Sequence, residues 1–292
     1  NSGAIIFKMP QKNVRIDDMI HGAIQFDTGL IKDQVLIKSD QSPTYNFSCV
    51  IDDADMGITH IIRGDDHISN TPKQLVLYEA LGFKLPCFAH IPMILGSGGG
   101  RMSKRAGATA ISEYREMGFL SEALINYLML LGWSPGNNQE IISLSDAVKK
   151  FNITDANTTA ATFDMDKLLW LNSQYIKKCD LESLSFLVGP FLQKCVSMDG
   201  NNLDSNFLLN ILKLFKGRAN TLLELVEGMK TFFMAQVEFD EAAREKFLSQ
   251  DLSRDFTVLK ERFSAISVCR ATNVEEAFRL VAKGLNVTTK HL

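Results

Sequence analysis

Residues 58–95, ITHIIRGDDHISNTPKQLVLYEALGFKLPCFAHIPMIL, hold two apolar runs on either side of one well-marked helix. The first run, Ile58-Thr59-His60-Ile61-Ile62, is β-branched and ends at Arg63-Gly64, which predicts a strand. Thr71 stands where an N-cap is expected, and Pro72 takes the first helical position, where its missing N–H is no loss. Gln74 follows Thr71 by three, as in a capping box. Gly82 then closes a helix of about eleven residues with the left-handed conformation that glycine adopts freely. The second run, Ile91 to Leu95, predicts a returning strand. Strand, helix and strand form the β-α-β unit from which parallel sheets are built, a unit that many functions share.

Outward from this unit the chain changes character in both directions. Toward the N-terminus, short apolar runs at Ala4–Phe7, Gly22–Phe26 and Val35–Ile37 alternate with turn material and read as strands. Beyond about residue 112 the spacing is helical throughout. Leu120, Leu124, Tyr127, Leu128 and Leu131 share one face, with Gly132 and Pro135 at its end. Phe207, Ile211, Phe215, Leu222, Val226, Met229 and Phe233 continue a similar stripe with a break near Gly217, and Glu275–Leu285 is a further amphipathic piece. The expected fold class is therefore α/β followed by an all-α region.

Composition excludes several classes. The 292 residues are 46% hydrophobic and 22% charged, which rules out disordered and collagen-like chains. The longest apolar stretch, around Leu124 to Trp133, is far shorter than the roughly 20 residues of a membrane span. Five cysteines, at 49, 87, 179, 195 and 269, form no C-x-x-C pair and suggest neither a zinc knuckle nor a disulfide framework, which fits a reducing compartment. A net charge of −3 leaves nucleic acid open as a partner, because binding depends on a local basic face. The chain starts at Asn1, which suggests a piece of a longer protein.

The second strand-like run leads directly into Gly96-Ser97-Gly98-Gly99-Gly100-Arg101-Met102-Ser103-Lys104-Arg105. Ordering three successive glycines costs much conformational entropy, which suits a loop that closes when a ligand supplies compensating contacts. Arg101, Lys104 and Arg105 would then meet an anion. Composition alone reads the stretch equally well as a solvated surface loop. Arg63 has two readings as well, since it can pair with Asp53, Asp65 or Asp66 or wait at a strand end for a ligand. The aspartates at 52, 53, 55, 65 and 66 are accounted for mostly by turns and helix N-caps, so no protein-built metal site is expected.

Arg101-Met102-Ser103-Lys104-Arg105 resembles the Lys-Met-Ser-Lys-Ser signature of class I aminoacyl-tRNA synthetases. Its surroundings resemble the bacterial-type glutamyl-tRNA synthetases in several blocks that stand in family order. They include Ser42-Pro43-Thr44-Tyr45-Asn46-Phe47, the run Met56 to His67, Asn70-Thr71-Pro72, Ala89-His90-Ile91-Pro92-Met93, Gly118-Phe119-Leu120, Leu131-Gly132-Trp133 and Lys167 to Asn172. The resemblance implies activation of glutamate by ATP, which arrives with magnesium, and transfer of the glutamyl group to tRNA(Glu). It places Lys104, Ser103 and Arg101 at the reacting phosphates and Met102, Lys104 and Arg105 against ATP. Arg63 falls at the family's arginine for the substrate side-chain carboxylate, with Tyr45, Cys49 and His67 lining the same pocket.

The resemblance also divides the chain. Residues 1–43 would end an inserted acceptor-binding domain, and 44–111 would be the second half of a Rossmann catalytic domain, with its signature loop at 96–105. Residues 112–185 would form a stem-contact region and 186–292 part of a helical anticodon-binding domain. Lys167 to Trp170 would build a core with Phe163 and Leu171, and Asn172, Gln174, Lys177 and Lys178 would face the tRNA elbow. Lys213, Lys216 and Arg218 read as a solvated polar helix face. A soluble monomer in the cytoplasm, or in an organelle of bacterial descent, is expected.

Three departures stand out. Arg101 replaces a lysine, and Gln41 replaces the glycine expected after Asp40. The family's first Rossmann half, with its His-x-Gly-His motif, has no counterpart, since neither His21-Gly22 nor His90-Ile91 matches it. This chain by itself is accordingly expected to form no adenylate, which leaves a non-catalytic tRNA-binding protein as the rival reading. In a full-length protein carrying the chain, Lys104→Ala should slow adenylate formation about a hundredfold, on the order of 3 kcal/mol of transition-state stabilisation. Pre-steady-state adenylate formation measures this, and an unchanged rate removes Lys104 from the chemistry.

Overall fold

The computed structural model describes residues 3–96, 98–100, 110–195, 204–234, 241–242, 245, 252–268 and 270–285. The chain divides into two compact units, residues 1–233 and 234–292.

The first unit is built on the β-α-β element. Strand β5 (His60–Gly64), helix α2 (Thr71–Leu81) and strand β6 (Cys87–Ile91) form it, with β5 and β6 parallel and Arg63 opposite His90. Gly82 closes α2 at φ 70°, as its sequence position predicts. Thr71 is the first residue inside α2 and Asn70 precedes it as the cap, so the Thr71 hydroxyl is free for another use. The returning strand is Cys87–Ile91, earlier than the Ile91–Leu95 run. Pro92, which has no N–H to donate, follows its end. Ile94–Leu95 (β7) instead pairs with Ala161–Thr162 (β8).

Strands β2 (Asn13–Asp18) and β3 (Gly22–Asp27) form an antiparallel hairpin that joins β6 through β2, giving the order β3-β2-β6-β5. Strand β6 is thus flanked on both sides, and Phe88, Ala89 and His90 are buried as a central strand requires. Ile16, Leu75 and Phe88 form the core between the sheet and α2. Helix α1 (Tyr45–Asp55) packs on α2 through Val50, Leu77 and Tyr78. Strands β1 (Ile5–Phe7) and β4 (Gln34–Ile37) make a separate antiparallel pair.

The turn after β4 keeps a glycine-like backbone without a glycine. Gln41 adopts φ 69°, with its N–H on the Lys38 carbonyl at 2.9 Å, and the Ser42 N–H and hydroxyl close on Asp40 at 2.9 and 2.6 Å. Those local bonds hold a conformation that disfavours a side chain by about 1–2 kcal/mol.

From residue 111 to 233 the regular elements of the described residues are helices, apart from β8, with irregular stretches at 133–143 and 156–160. Helices α3 (Ile111–Glu116), α4 (Ser121–Gly132), α5 (Leu144–Lys150) and α6 (Met165–Lys178) come first. Helices α7 (Leu181–Cys195), α8 (Ser205–Phe215) and α9 (Leu222–Met229) follow, with the break near Gly217 between α8 and α9. One core joins Ile176, Leu184, Val188, Leu192, Leu212, Leu225, Val226 and Met229, and a second joins Tyr114, Phe119, Leu124, Tyr127, Leu168 and Leu171.

Four side chains depart from the sequence reading. Leu128 is exposed while Asn126 on α4 is buried. The Asn126 Oδ1 accepts from the Ile142 N–H and the Tyr175 hydroxyl, and its Nδ2 donates to the Glu140 carbonyl. Trp170 is exposed and outside the core that Leu168 and Leu171 complete. Asn172 does not face outward, because its amide is buried between the Leu120 N–H and the Asn220 carbonyl. Lys216 donates to the Cys179 carbonyl at 2.7 Å rather than standing solvated. In the second unit, the helices Ser253–Ser264 and Ala271–Leu285 pack on each other and bury Leu259, Val281 and Ala282.

Two positive-φ positions predict opposite outcomes. Gly118 has φ 84°, and a Cβ there would lie 2.6 Å from the Leu223 nitrogen and 2.9 Å from that of Leu222. Gly118→Ala should destabilise the first unit by more than about 2 kcal/mol, because neither backbone atom can yield cheaply. Gln41→Gly, by contrast, should stabilise it by up to about 1 kcal/mol through relief of φ strain. Urea unfolding of both variants checks the pair, and equal effects would contradict the geometry.

Candidate functional site

Strand β5 carries Arg63 as its penultimate residue, just before the 3-10 segment Asp65–Asn70 that carries His67. Helix α1 opens with Tyr45 and places Cys49 one turn later, on the same face. The Tyr45 hydroxyl lies 3.4 Å from His67 Nδ1, with the rings 6.0 Å apart. The Asn70 amide also reaches His67 Nδ1, at 3.3 Å. Tyr45, Cys49 and Asp53, all on α1, act electrostatically on the guanidinium of Arg63. The pocket residues predicted from sequence, Arg63, Tyr45, Cys49 and His67, therefore gather at one end of the β-α-β unit.

The partners of Arg63 are neutral side chains rather than the aspartates of its ion-pair reading. Its Nε–H donates to His90 Nε2 at 3.2 Å, and its Nη2 donates to the Thr71 hydroxyl at 2.9 Å. Its guanidinium carbon stands 5.8 Å over the Phe88 ring, a cation–π distance. Among the described residues no carboxylate forms an ion pair with it, so neither Asp53, Asp65 nor Asp66 supplies one. Burial pulls the Arg63 pKa below its ordinary value, opposed by the charges of Tyr45, Cys49 and Asp53. The result is a half-buried cation held by neutral partners.

Behind Arg63 lies a second layer that the sequence reading did not identify. His90 and Asp18 are both buried, and His90 Nδ1 is 2.6 Å from Asp18 Oδ2. The other Asp18 oxygen accepts from the N–H groups of Ile20 and His21 at 3.0 Å each and of His90 at 3.3 Å. Burial works to raise the Asp18 pKa, but these bonds outweigh it and the carboxyl ends below its ordinary value. Burial likewise lowers the His90 pKa, with Asp18 opposing and Arg63 reinforcing that shift. The imidazole is therefore neutral near pH 7, with Nδ1–H donating to Asp18 and Nε2 left to accept from Arg63.

Elsewhere, burial and the Asp53 carboxylate push the Tyr78 hydroxyl up to about 12, so it stays protonated beside α1. Tyr45 is also raised, by burial and by its bond with Cys49. At the start of the glycine run the Gly99 N–H bonds the Gly96 carbonyl at 2.9 Å and the Gly96 N–H bonds that of Gly100 at 2.8 Å. Arg101, Met102, Ser103, Lys104 and Arg105 lie outside the described residues. Among the described residues no group of three or more His, Cys, Asp or Glu could hold a metal ion, and no helix is long and apolar enough to cross a membrane.

Comparison with known proteins adds an independent line. A family profile described as tRNA synthetases class I (E and Q), catalytic domain, matches residues 2–170, and one described as anticodon binding domain matches residues 183–292. The glutamate–tRNA ligases of Nitratidesulfovibrio vulgaris and Geotalea uraniireducens are each 44% identical to the chain, over 94% and 96% of it. A crystal structure of a glutamate tRNA ligase from Elizabethkingia meningosepticum, in complex with its amino acid, superposes with a TM-score of 0.81 at 32% identity over 99% of this chain. The chain spans 59–60% of the length of these relatives.

The Asp18–His90 pair makes stability depend on pH. Both groups have folded pKa values below their ordinary ones, so over each window the unfolded chain binds more protons than the folded one. The His90 contribution is complete above about 6.5 and is lost as pH falls toward its lower folded value, and that of Asp18 is lost as pH falls below about 3.9. Urea midpoints should therefore fall on acidification from about pH 7 to about pH 5, and His90→Gln should flatten that slope. A slope as steep in the variant as in the parent would exclude His90 as its source.

Proposed function

Because the chain belongs to the class I tRNA synthetases of the E and Q group, we propose that the protein carrying it is a glutamate–tRNA ligase. In this reading it condenses glutamate with ATP to glutamyl-adenylate and then passes the glutamyl group to the 3′-terminal ribose of tRNA(Glu). The observation that carries the reading is Arg63, a half-buried cation without a carboxylate partner among the described residues. Its Nε edge is committed to His90 and Thr71. The two terminal nitrogens still offer parallel hydrogens, the geometry that takes a carboxylate by two charge-assisted bonds. A glutamine amide would turn an NH2 toward those donors and lose one bond while gaining a repulsion.

Around the bound side chain, Tyr45, Cys49 and His67 would close the pocket, and the Tyr45 hydroxyl, protonated at neutral pH, can donate or accept. Attack of the glutamate carboxylate on the α-phosphorus of ATP sends negative charge to the departing pyrophosphate. Lys104, Ser103 and Arg101 would meet that charge, and Met102 and Arg105 would hold the nucleotide, with magnesium travelling on ATP rather than on a carboxylate cage. Residues 112–185 and 186–292 would contact the tRNA stem and anticodon arm, and the protein would act as a cytoplasmic monomer.

Glutamate-dependent ATP–pyrophosphate exchange, with tRNA present, tests the activity in a full-length protein carrying this chain. Exchange supported by glutamine rather than glutamate would sink the reading. In that protein Arg63→Gln should lower kcat/KM for glutamate at least about a hundredfold, the loss expected for two charge-assisted bonds, with KM for ATP within about threefold. Equal losses for both substrates would remove Arg63 from glutamate selection.

A further inference from the structure

Arg63 is held along one edge only, and the group that holds it is itself held. The Nε–H and Nη2 of its guanidinium fork onto His90 Nε2 and the Thr71 hydroxyl, and that hydroxyl in turn lies 3.2 Å from His90 Nε2 and donates to the His67 carbonyl at 3.3 Å. Phe88, two residues before His90 and stacked with it at 6.2 Å, supports the flat face of the guanidinium. His90 can accept from Arg63 only if its Nε2 is bare. Asp18 enforces that condition, because its Oδ2 at 2.6 Å from Nδ1 is an acceptor and draws the single imidazole proton to that side.

We propose that Asp18 and His90 are positioning residues that fix the hydrogen-bond polarity facing Arg63 and so aim its free edge at the substrate carboxylate. This rests on the reading of Arg63 as the glutamate-side-chain cation. A purely structural role for the pair would need only Asp18 with the N–H groups of Ile20, His21 and His90, which already ties the turn after β2 to β6. The imidazole would then be free to adopt either tautomer. Its second nitrogen instead meets a charged donor, and only one tautomer allows that meeting.

Asp18→Asn separates the two roles. The asparagine Oδ1 keeps the three backbone N–H groups, while its NH2 faces His90 Nδ1 and drives the imidazole proton to Nε2. A donor would then oppose the Arg63 Nε–H. The 15N imidazole shifts of His90, assigned by their loss in His90→Gln, should report a bare Nε2 in the parent full-length protein and a protonated Nε2 in Asp18→Asn. A protonated Nε2 in the parent overturns the proposal.

The kinetic readout is the KM for glutamate, which should rise about tenfold or more in Asp18→Asn while the KM for ATP holds. His90→Asn keeps a donor toward Asp18 but presents no acceptor to Arg63, and it should show the same rise; it also replaces Asp18→Asn if that variant does not fold. His90→Gln carries an oxygen into the Nε2 position and should recover most of the loss. Parallel changes in both KM values, or no difference between His90→Asn and His90→Gln, overturn the positioning role. A parent protein without glutamate-dependent exchange would sink the proposed activity instead, and the tautomer measurement would still decide whether Asp18 sets the polarity of His90.

Discussion

A carboxylate and an imidazole, Asp18 and His90, meet at 2.6 Å with no exposed side-chain surface on either. Burying an ionised carboxylate is strongly unfavourable unless nearly all of its lone pairs find donors. Here the imidazole takes one oxygen and three backbone N–H groups take the other. Those donors come from the turn after β2 and from β6, so satisfying the charge requires the two strands to lie side by side at that point. The register agrees, with Asp18 opposite Phe88 and the Met19 N–H on the Phe88 carbonyl at 2.8 Å. That attachment joins the β2–β3 hairpin to β6, whose parallel ladder with β5 already sets His90 opposite Arg63.

Local signals were legible in the sequence because local physics decides them. The β-branched run ending at Gly64, the glycine closing α2 and the break between α8 and α9 depend only on neighbouring residues. Strand β2 went unread because Asn13-Val14-Arg15-Ile16-Asp17-Asp18 carries only two apolar residues, and its polar end is explained by a partner far along the chain. The buried face of α4 is hidden from the sequence for a similar reason. Its apolar stripe includes Leu128, yet Asn126 turns inward because α6 and the segment before α5 bring the Tyr175 hydroxyl and the Ile142 and Glu140 backbone groups to meet it.

The site divides the same way. Arg63 was readable as a cation at a strand end, where parallel sheets place their ligands, and the family resemblance supplied Tyr45, Cys49 and His67. A threonine before a proline has the pattern of a helix cap, but the Thr71 hydroxyl instead accepts from Arg63 and lies against His90 and the His67 carbonyl. Asp18 and His90 are 72 positions apart, and no spacing rule connects them. Only the strand order β3-β2-β6-β5 brings them together, and that order is set by pairing rather than by composition.

A cation that selects a carboxylate faces conflicting demands. It must be held in one orientation, and the strongest way to hold a guanidinium is a protein carboxylate, but such a partner would compete directly with the substrate. The attraction between unit charges 4 Å apart near a protein surface is about 4 kcal/mol, enough to decide that competition. In the proposed reading of Arg63, interposing a neutral imidazole resolves the conflict. Asp18 fixes His90, His90 fixes Arg63 through a single acceptor, and the negative charge stays a ring's width behind the cation it helps to orient. In the proposed reading, burial raises the demand of Arg63 for an anion, and the substrate carboxylate would meet it beside Tyr45 and His67.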